Sequence, residues 1–176
     1  SGKAIVVANS DGTLSSFEVG SGTFDSLDCT GTGDNAVCYG PDAEAVGVGT
    51  TAIGAGAKAT QNEASAFGAG ATASGNYASS FGTKASATGL ASTAVGAGSI
   101  ANETGAITIG VNSIASGANS SAFGTEANAS AEDAIAFGYK AVANNLNALA
   151  LGAEAQATAV DATALGDASQ ATGFQS

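Results

Sequence analysis

Glycine recurs every 14 residues through most of this 176-residue chain, at Gly40, Gly54, Gly68, Gly82, Gly96, Gly110, Gly124, Gly138, Gly152 and Gly166. A short fixed period without a slip marks a stack of identical units, each unable to bury its own apolar face without its neighbours. Fourteen residues cannot hold a pair of helices. They suit one coil of a narrow β-solenoid, with two strands of about 5 residues and two tight turns. The expected fold class is all-β, a parallel β-roll of 14-residue coils.

Aligned on that glycine, each coil assigns its positions a size. The residue before it is large: Tyr39, Ile53, Phe67, Phe81, Val95, Ile109, Phe123, Phe137, Leu151 and Leu165. The residue two before it is small, as at Ala52, Ala66, Ser80 and Thr108, and the residue three after it is always Ala or Ser. Five after it stands alanine every time, from Ala45 to Ala171. Strand side chains alternate between faces. The small residue two before the glycine is thus expected to share a face with the glycine, and the third and fifth residues after it to share a face with each other. With those faces turned inward, the interior admits little more than a methyl group, and normal packing density leaves no room for leucine. Alanine is a poor strand former, so packing must override propensity here.

The same alternation turns the large residues outward. Stacked one per coil about 4.8 Å apart, Ile53, Phe67, Phe81, Val95, Ile109, Phe123, Phe137, Leu151 and Leu165 form a continuous apolar stripe. Covering each such side chain is worth roughly 1.5–3 kcal/mol, and large uncovered patches are rare on soluble monomers. Another copy of the chain is the simplest cover. The spacing leaves the number of copies open.

Asn119-Ser120-Ser121-Ala122-Phe123-Gly124, Ser65-Ala66-Phe67-Gly68 and Thr93-Ala94-Val95-Gly96 resemble the N-S-V-A-I-G repeats of YadA-like heads. Ala71-Thr72-Ala73-Ser74-Gly75 and Ala85-Ser86-Ala87-Thr88-Gly89 match the rest of that unit. The resemblance runs from about Ala36 to Gly173 over ten repeats. It implies the head of a trimeric autotransporter adhesin: three left-handed parallel β-rolls side by side, with the stripe as the trimer core, displayed from a Gram-negative outer membrane by type V secretion. It also implies host extracellular-matrix or cell-surface proteins as partners. Phenylalanine often replaces the usual isoleucine, which implies a fatter trimer core. No neck segment after Gly173, coiled-coil heptads, C-terminal membrane strands or signal peptide is readable, so the chain is expected to be a fragment of something longer.

Composition restricts the alternatives. The formal net charge of −11, from 15 acidic and 4 basic residues, argues against nucleic acid and anionic lipid as partners. No run of 18 apolar residues suggests insertion of this segment into a membrane. Histidine is absent, so no Ser/His or Cys/His nucleophile can be assembled, and no enzymatic activity is expected. Gly54-Ala55-Gly56-Ala57-Lys58 lacks the spacing of a phosphate loop and is one more coil. No cofactor is expected.

Residues 1–35 break the coil pattern and read as an N-terminal cap ahead of a roll at 36–176. Ala4–Ala8 and Thr13–Val19 look like strands flanking a turn at Asn9-Ser10-Asp11-Gly12. An open solenoid end exposes strand edges that natural proteins cover. Cys29 and Cys38 are the two cysteines, and an even pair in an exported chain is expected to form a disulfide that fastens cap to roll. Asp25, Asp28, Asp34 and Asp42 could hold calcium but lack the spacing of a calcium loop.

Two outward rows are ordered. Glu126, Lys140 and Glu154 share one position in three successive coils and should form an alternating ladder. The sixth residue after the glycine is Thr, Ser or Asn from Thr60 to Thr172, with Val46 the exception, a row suited to bonding turn backbone or to meeting a fibrous ligand. Three functions remain: an adhesin head, a spacer holding a distal binding tip, and an ice-binding solenoid. Ice binding would need two aligned threonines per coil. The fourth residue after the glycine instead runs through Lys58, Thr72, Ser86, Ile100 and Asn128. The ligand-binding residues are not readable from the sequence.

Overall fold

The computed structural model describes residues 3–8, 14–19 and 29–173. Among them there is no helix. Strands β1 (Lys3–Ala8) and β2 (Leu14–Val19) pair antiparallel, with Lys3 opposite Val19 and Ala8 opposite Leu14. The turn expected at Asn9–Gly12 lies outside the described residues.

From β3 (Thr30–Gly31) and β4 (Val37–Tyr39) onward the chain alternates between two parallel sheets. Three-residue strands build a ten-stranded sheet, and two-residue strands build an eleven-stranded one. Every strand pairs with the one a full coil away: Tyr39 with Ile53, Phe67 with Phe81, Ala87 with Ala101. The expected period therefore holds. The strands are shorter than the expected five because each coil is two seven-residue halves, one giving four residues to a corner and the other five.

Backbone bonding does not stop at the corners. Gly68 N donates to Ile53 O at 2.8 Å and Lys84 N to Ala69 O at 2.9 Å, so the coil-to-coil ladder runs around the whole section. Each corner carries one residue in the left-handed region, two or nine places after the repeating glycine, such as Lys84 (φ 57) and Tyr77 (φ 61).

The interior is as narrow as the small rows require. Among the described residues every buried apolar side chain is alanine, and the buried polar ones are serine and threonine. Four rows point inward, at four and two before the glycine and three and five after it. The row four before it, including Ala64, Ala106 and Ala134, was not among the expected ones. The glycine itself does not share the inner face. The strand ends on the large residue, and the glycine turns the corner with φ +132 at Gly54. A Cβ there would lie 2.6 Å from the carbonyl carbon of Gly68 in the next coil, closer than any real contact. Stacking clearance and an unusual φ, rather than the alternation of a strand, account for the unbroken glycine row.

Candidate interaction surface

The ten-stranded sheet carries the large residues on its outer face, since their inward neighbours at Ala52, Ala66, Ala94 and Ala122 are fully buried. In the single chain Phe81 is 40% exposed, Ile109 45%, Phe137 53% and Leu165 70%. Ile53, Phe67, Val95 and Phe123 are half-buried by their stacking neighbours, and Leu151 is exposed. Parallel in-register pairing links the row without interruption from Tyr39 to Leu165. Phe67 and Phe81 stack with ring centres 5.0 Å apart and planes 7° from parallel. Phe123 and Phe137 stand 5.8 Å apart and tilted. Identical rings one coil apart have little freedom to do otherwise.

A second outward row lies beside the first, three residues before each glycine. It is apolar at Val37, Ile107, Ile135 and Leu149 and hydroxylic elsewhere, as at Ser65 and Thr93. It widens the stripe over the C-terminal coils. Sequence reasoning passed over it, although the same 14-residue alignment displays it.

The eleven-stranded sheet presents a different outer face. The fourth and sixth residues after each glycine point out, giving Thr72, Ser74, Ser86 and Thr88 in one region and Ile100, Ile114 and Val142 further along. Asn128 lies between Ile114 and Val142 in register, and its Oδ1 is buried without a hydrogen-bond partner.

Charged ladders occupy the rim. Lys140 Nζ is 3.7 Å from Glu126 Oε2 and 5.0 Å from the centre of the Tyr139 ring. Tyr139 first, then Glu126 and Glu154, hold the Lys140 ammonium above its ordinary value. These three charges do line up, and all three are corner residues with positive φ. A pair the spacing argument missed joins Lys58 Nζ to Glu44 Oε2 at 3.2 Å. On the opposite corner Asn119, Asp133, Asn147 and Asp161 alternate amide and carboxylate. Asn119 Nδ2 donates to Asp133 at 3.3 Å and Asn147 Nδ2 to Asp161 at 2.8 Å.

At the N-terminal end Cys29 and Cys38 are half-buried free thiols. Cys38 Sγ donates to Ala43 O at 3.4 Å. Of the four aspartates considered for calcium, Asp25 and Asp28 lie outside the described residues, and Asp34 and Asp42 are exposed. Among the described residues no three acidic, cysteine or histidine side chains come together.

Comparison with known proteins places this geometry. The profile of the YadA head domain repeat, two copies long, matches residues 45–71, 73–99, 101–127, 129–155 and 157–173. The first four matches each span nearly two coils, the fifth is shorter, and successive matches start 28 residues apart, twice the period of the glycine row. Among solved structures, the collagen-binding domain of the Yersinia adhesin YadA is similar at 26% identity with a TM-score of 0.55, covering 78% of this chain and 75% of that one. No curated protein sequence matches the chain. With the family's repeat matched over most of its length and the roll geometry shared, the chain belongs to the YadA head domain family and is an adhesin-type head.

Proposed function

We propose that this chain is the head of a trimeric bacterial surface adhesin that attaches to fibrous extracellular-matrix proteins or host cell surfaces. The observation that carries the reading is the unbroken apolar row from Ile53 to Leu165 along one face of an acidic solenoid. A row of this length needs a cover, and three copies related by rotation would cover one another's stripes. The number three follows from the likeness to YadA-like heads, as do the left-handed coil and display from the outer membrane. The partner class follows from the likeness to a domain described as collagen-binding. Affinity would come from repeated weak contacts along flat faces and across three chains, by avidity.

Light scattering over a dilution series, followed by binding to immobilised collagen and fibronectin, tests the reading. A trimer that binds supports it. A soluble monomer with the stripe uncovered sinks it. The spacer reading is favoured by one observation, the antiparallel pair β1–β2, which is built unlike the roll. Trimming residues 1–28 leaves β3 and every coil intact. Binding that survives the trim belongs to the roll, and binding lost with the trimer preserved belongs to the N-terminal segment.

A further inference from the structure

From Ala43 onward the four inner rows contain only alanine, serine and threonine. The first coil departs from this, with cysteine at two inner positions. Cys29 directly precedes β3 in one sheet, and Cys38 is the middle residue of β4 in the other. Both pack against the alanine core, and a Cβ built at Gly31, two residues on from Cys29, would lie 3.5 Å from Cys38 Cβ, so this stretch and Cys38 enter the same narrow layer of the interior. An open cleft of about 480 Å³ lined by Cys29, Thr30, Asp42, Ala43 and Glu44 gives small molecules a path to the pair.

Among the described residues this coil, like the last, stacks against another on one side only. Strand β3 is two exposed residues long and ends its sheet, paired only with the next strand, Glu44–Ala45. An end unit of a solenoid has lost half of its nearest-neighbour interactions. A bond between the two sheets at this coil restrains the strand that stacking holds on one side only.

We propose that Cys29 and Cys38 are a modification site that closes into an intramolecular disulfide, clasping the two sheets together at the first coil of the roll. Two S–H bonds break and one S–S bond forms. The two protons and two electrons pass to a small or protein disulfide, which is reduced to two thiols by exchange. The oxidising surroundings rest on the surface-adhesin reading above, and the geometry does not. Other thiol chemistry fits poorly. Burial, and then the neighbouring Cys29, push the Cys38 thiol up to about 12, so its thiolate is scarce at neutral pH, which disfavours metal ligation and makes the exchange slow enough to need an excess of the disulfide oxidant. No third ligand stands near among the described residues.

The test treats the full folded chain with oxidised glutathione, then counts thiols after denaturation and maps the linked peptides by mass spectrometry. Expected are loss of both thiols, a chain lighter by two hydrogens and a single Cys29–Cys38 link. The amides of Thr30 and Thr32, bonded to Ala43 O and Ala45 O, should exchange more slowly by up to about a hundredfold, from the chain entropy removed by closing a short loop. The double variant Cys29→Ala, Cys38→Ala places the interior's usual residue at both positions. It should fold and lose the redox dependence of that exchange. Persistent free thiols, stable mixed disulfides with glutathione, or a bond between chains would overturn the proposal. A clasp that forms in a chain neither trimeric nor adhesive would refute the adhesin reading alone, whereas a trimeric, binding chain with no clasp would refute this one.

Discussion

Hydroxyl groups in the interior follow a rule set by position. Ser92 Oγ donates to Gly89 O at 2.8 Å, Ser99 to Gly96 O at 2.9 Å and Ser120 to Gly117 O at 2.7 Å. Each stands immediately before a strand, so a turn carbonyl lies three residues behind it. Ser80 and Thr108 stand mid-strand, where carbonyls are committed to the ladder, and their hydroxyls are buried without a partner. An unpaired buried hydroxyl costs about 1–3 kcal/mol. Ser80→Ala and Thr108→Val should therefore each raise stability by about 1 kcal/mol, while Ser92→Ala lowers it by about 0.5–1 kcal/mol. Denaturant titration of the three variants checks the sign at each position. Size is restricted as tightly as polarity. Ala122, fully buried between sheets, cannot become leucine without forcing them apart, and Ala122→Leu should cost about 3 kcal/mol by the same measurement.

Corners are where the elements store strain. Fifteen of the described non-glycine residues have positive φ, and the left-handed region costs an ordinary residue about 1–2 kcal/mol. Asn119, Asn147, Asp133 and Asp161 tolerate it well, and they add side-chain bonds along the ladder. Tyr77 (φ 61) and Ala91 (φ 53) have no such adaptation. Glycine there removes the strain but adds about 0.5–1 kcal/mol of unfolded-state entropy. Tyr77→Gly and Ala91→Gly should thus each gain a net of about 0.5 kcal/mol in thermal melts. At the end coil the sign of a pH effect follows from Cys38, raised from 9.0 to about 12. The unfolded chain releases the thiol proton near 9 and the folded chain holds it, so the reduced first coil is fully stabilised below pH 9 and loses that stability as pH rises toward 12. Amide exchange at Thr30 should accelerate over that range in reduced protein, and the loss should be absent from the double alanine variant.

For the whole molecule the governing quantity is the apolar row. In the proposed trimer Phe123, near the middle of the stack, faces its symmetry copies. Phe123→Asp would then bury three carboxylates together, at several kcal/mol each, and trimer should give way to monomer or precipitate on a sizing column. Leu165→Asp, at 70% exposure near the last coil, should be tolerated far better. Each copy brings a formal charge of −11, so assembly brings like charges together. Added salt screens that repulsion over about 8–10 Å. The trimer should therefore tighten as ionic strength rises, which sedimentation at low and high salt will show.

The sequence by itself determined the period, the two-sheet coil, the alanine interior and the outward row from Ile53 to Leu165, because a 14-residue repeat imposes one geometry on every copy. Where each copy uses that geometry was legible only in part. The widened stripe at Ile107, Ile135 and Leu149 and the Glu44–Lys58 pair were present in the alignment but hidden by variation from coil to coil. Tertiary structure alone decided why the repeating residue must be glycine. Its clash is with the backbone of the next coil, a contact that no local spacing expresses. It also decided which hydroxyls find a carbonyl, since that depends on where each stands relative to the turns and to the ladder.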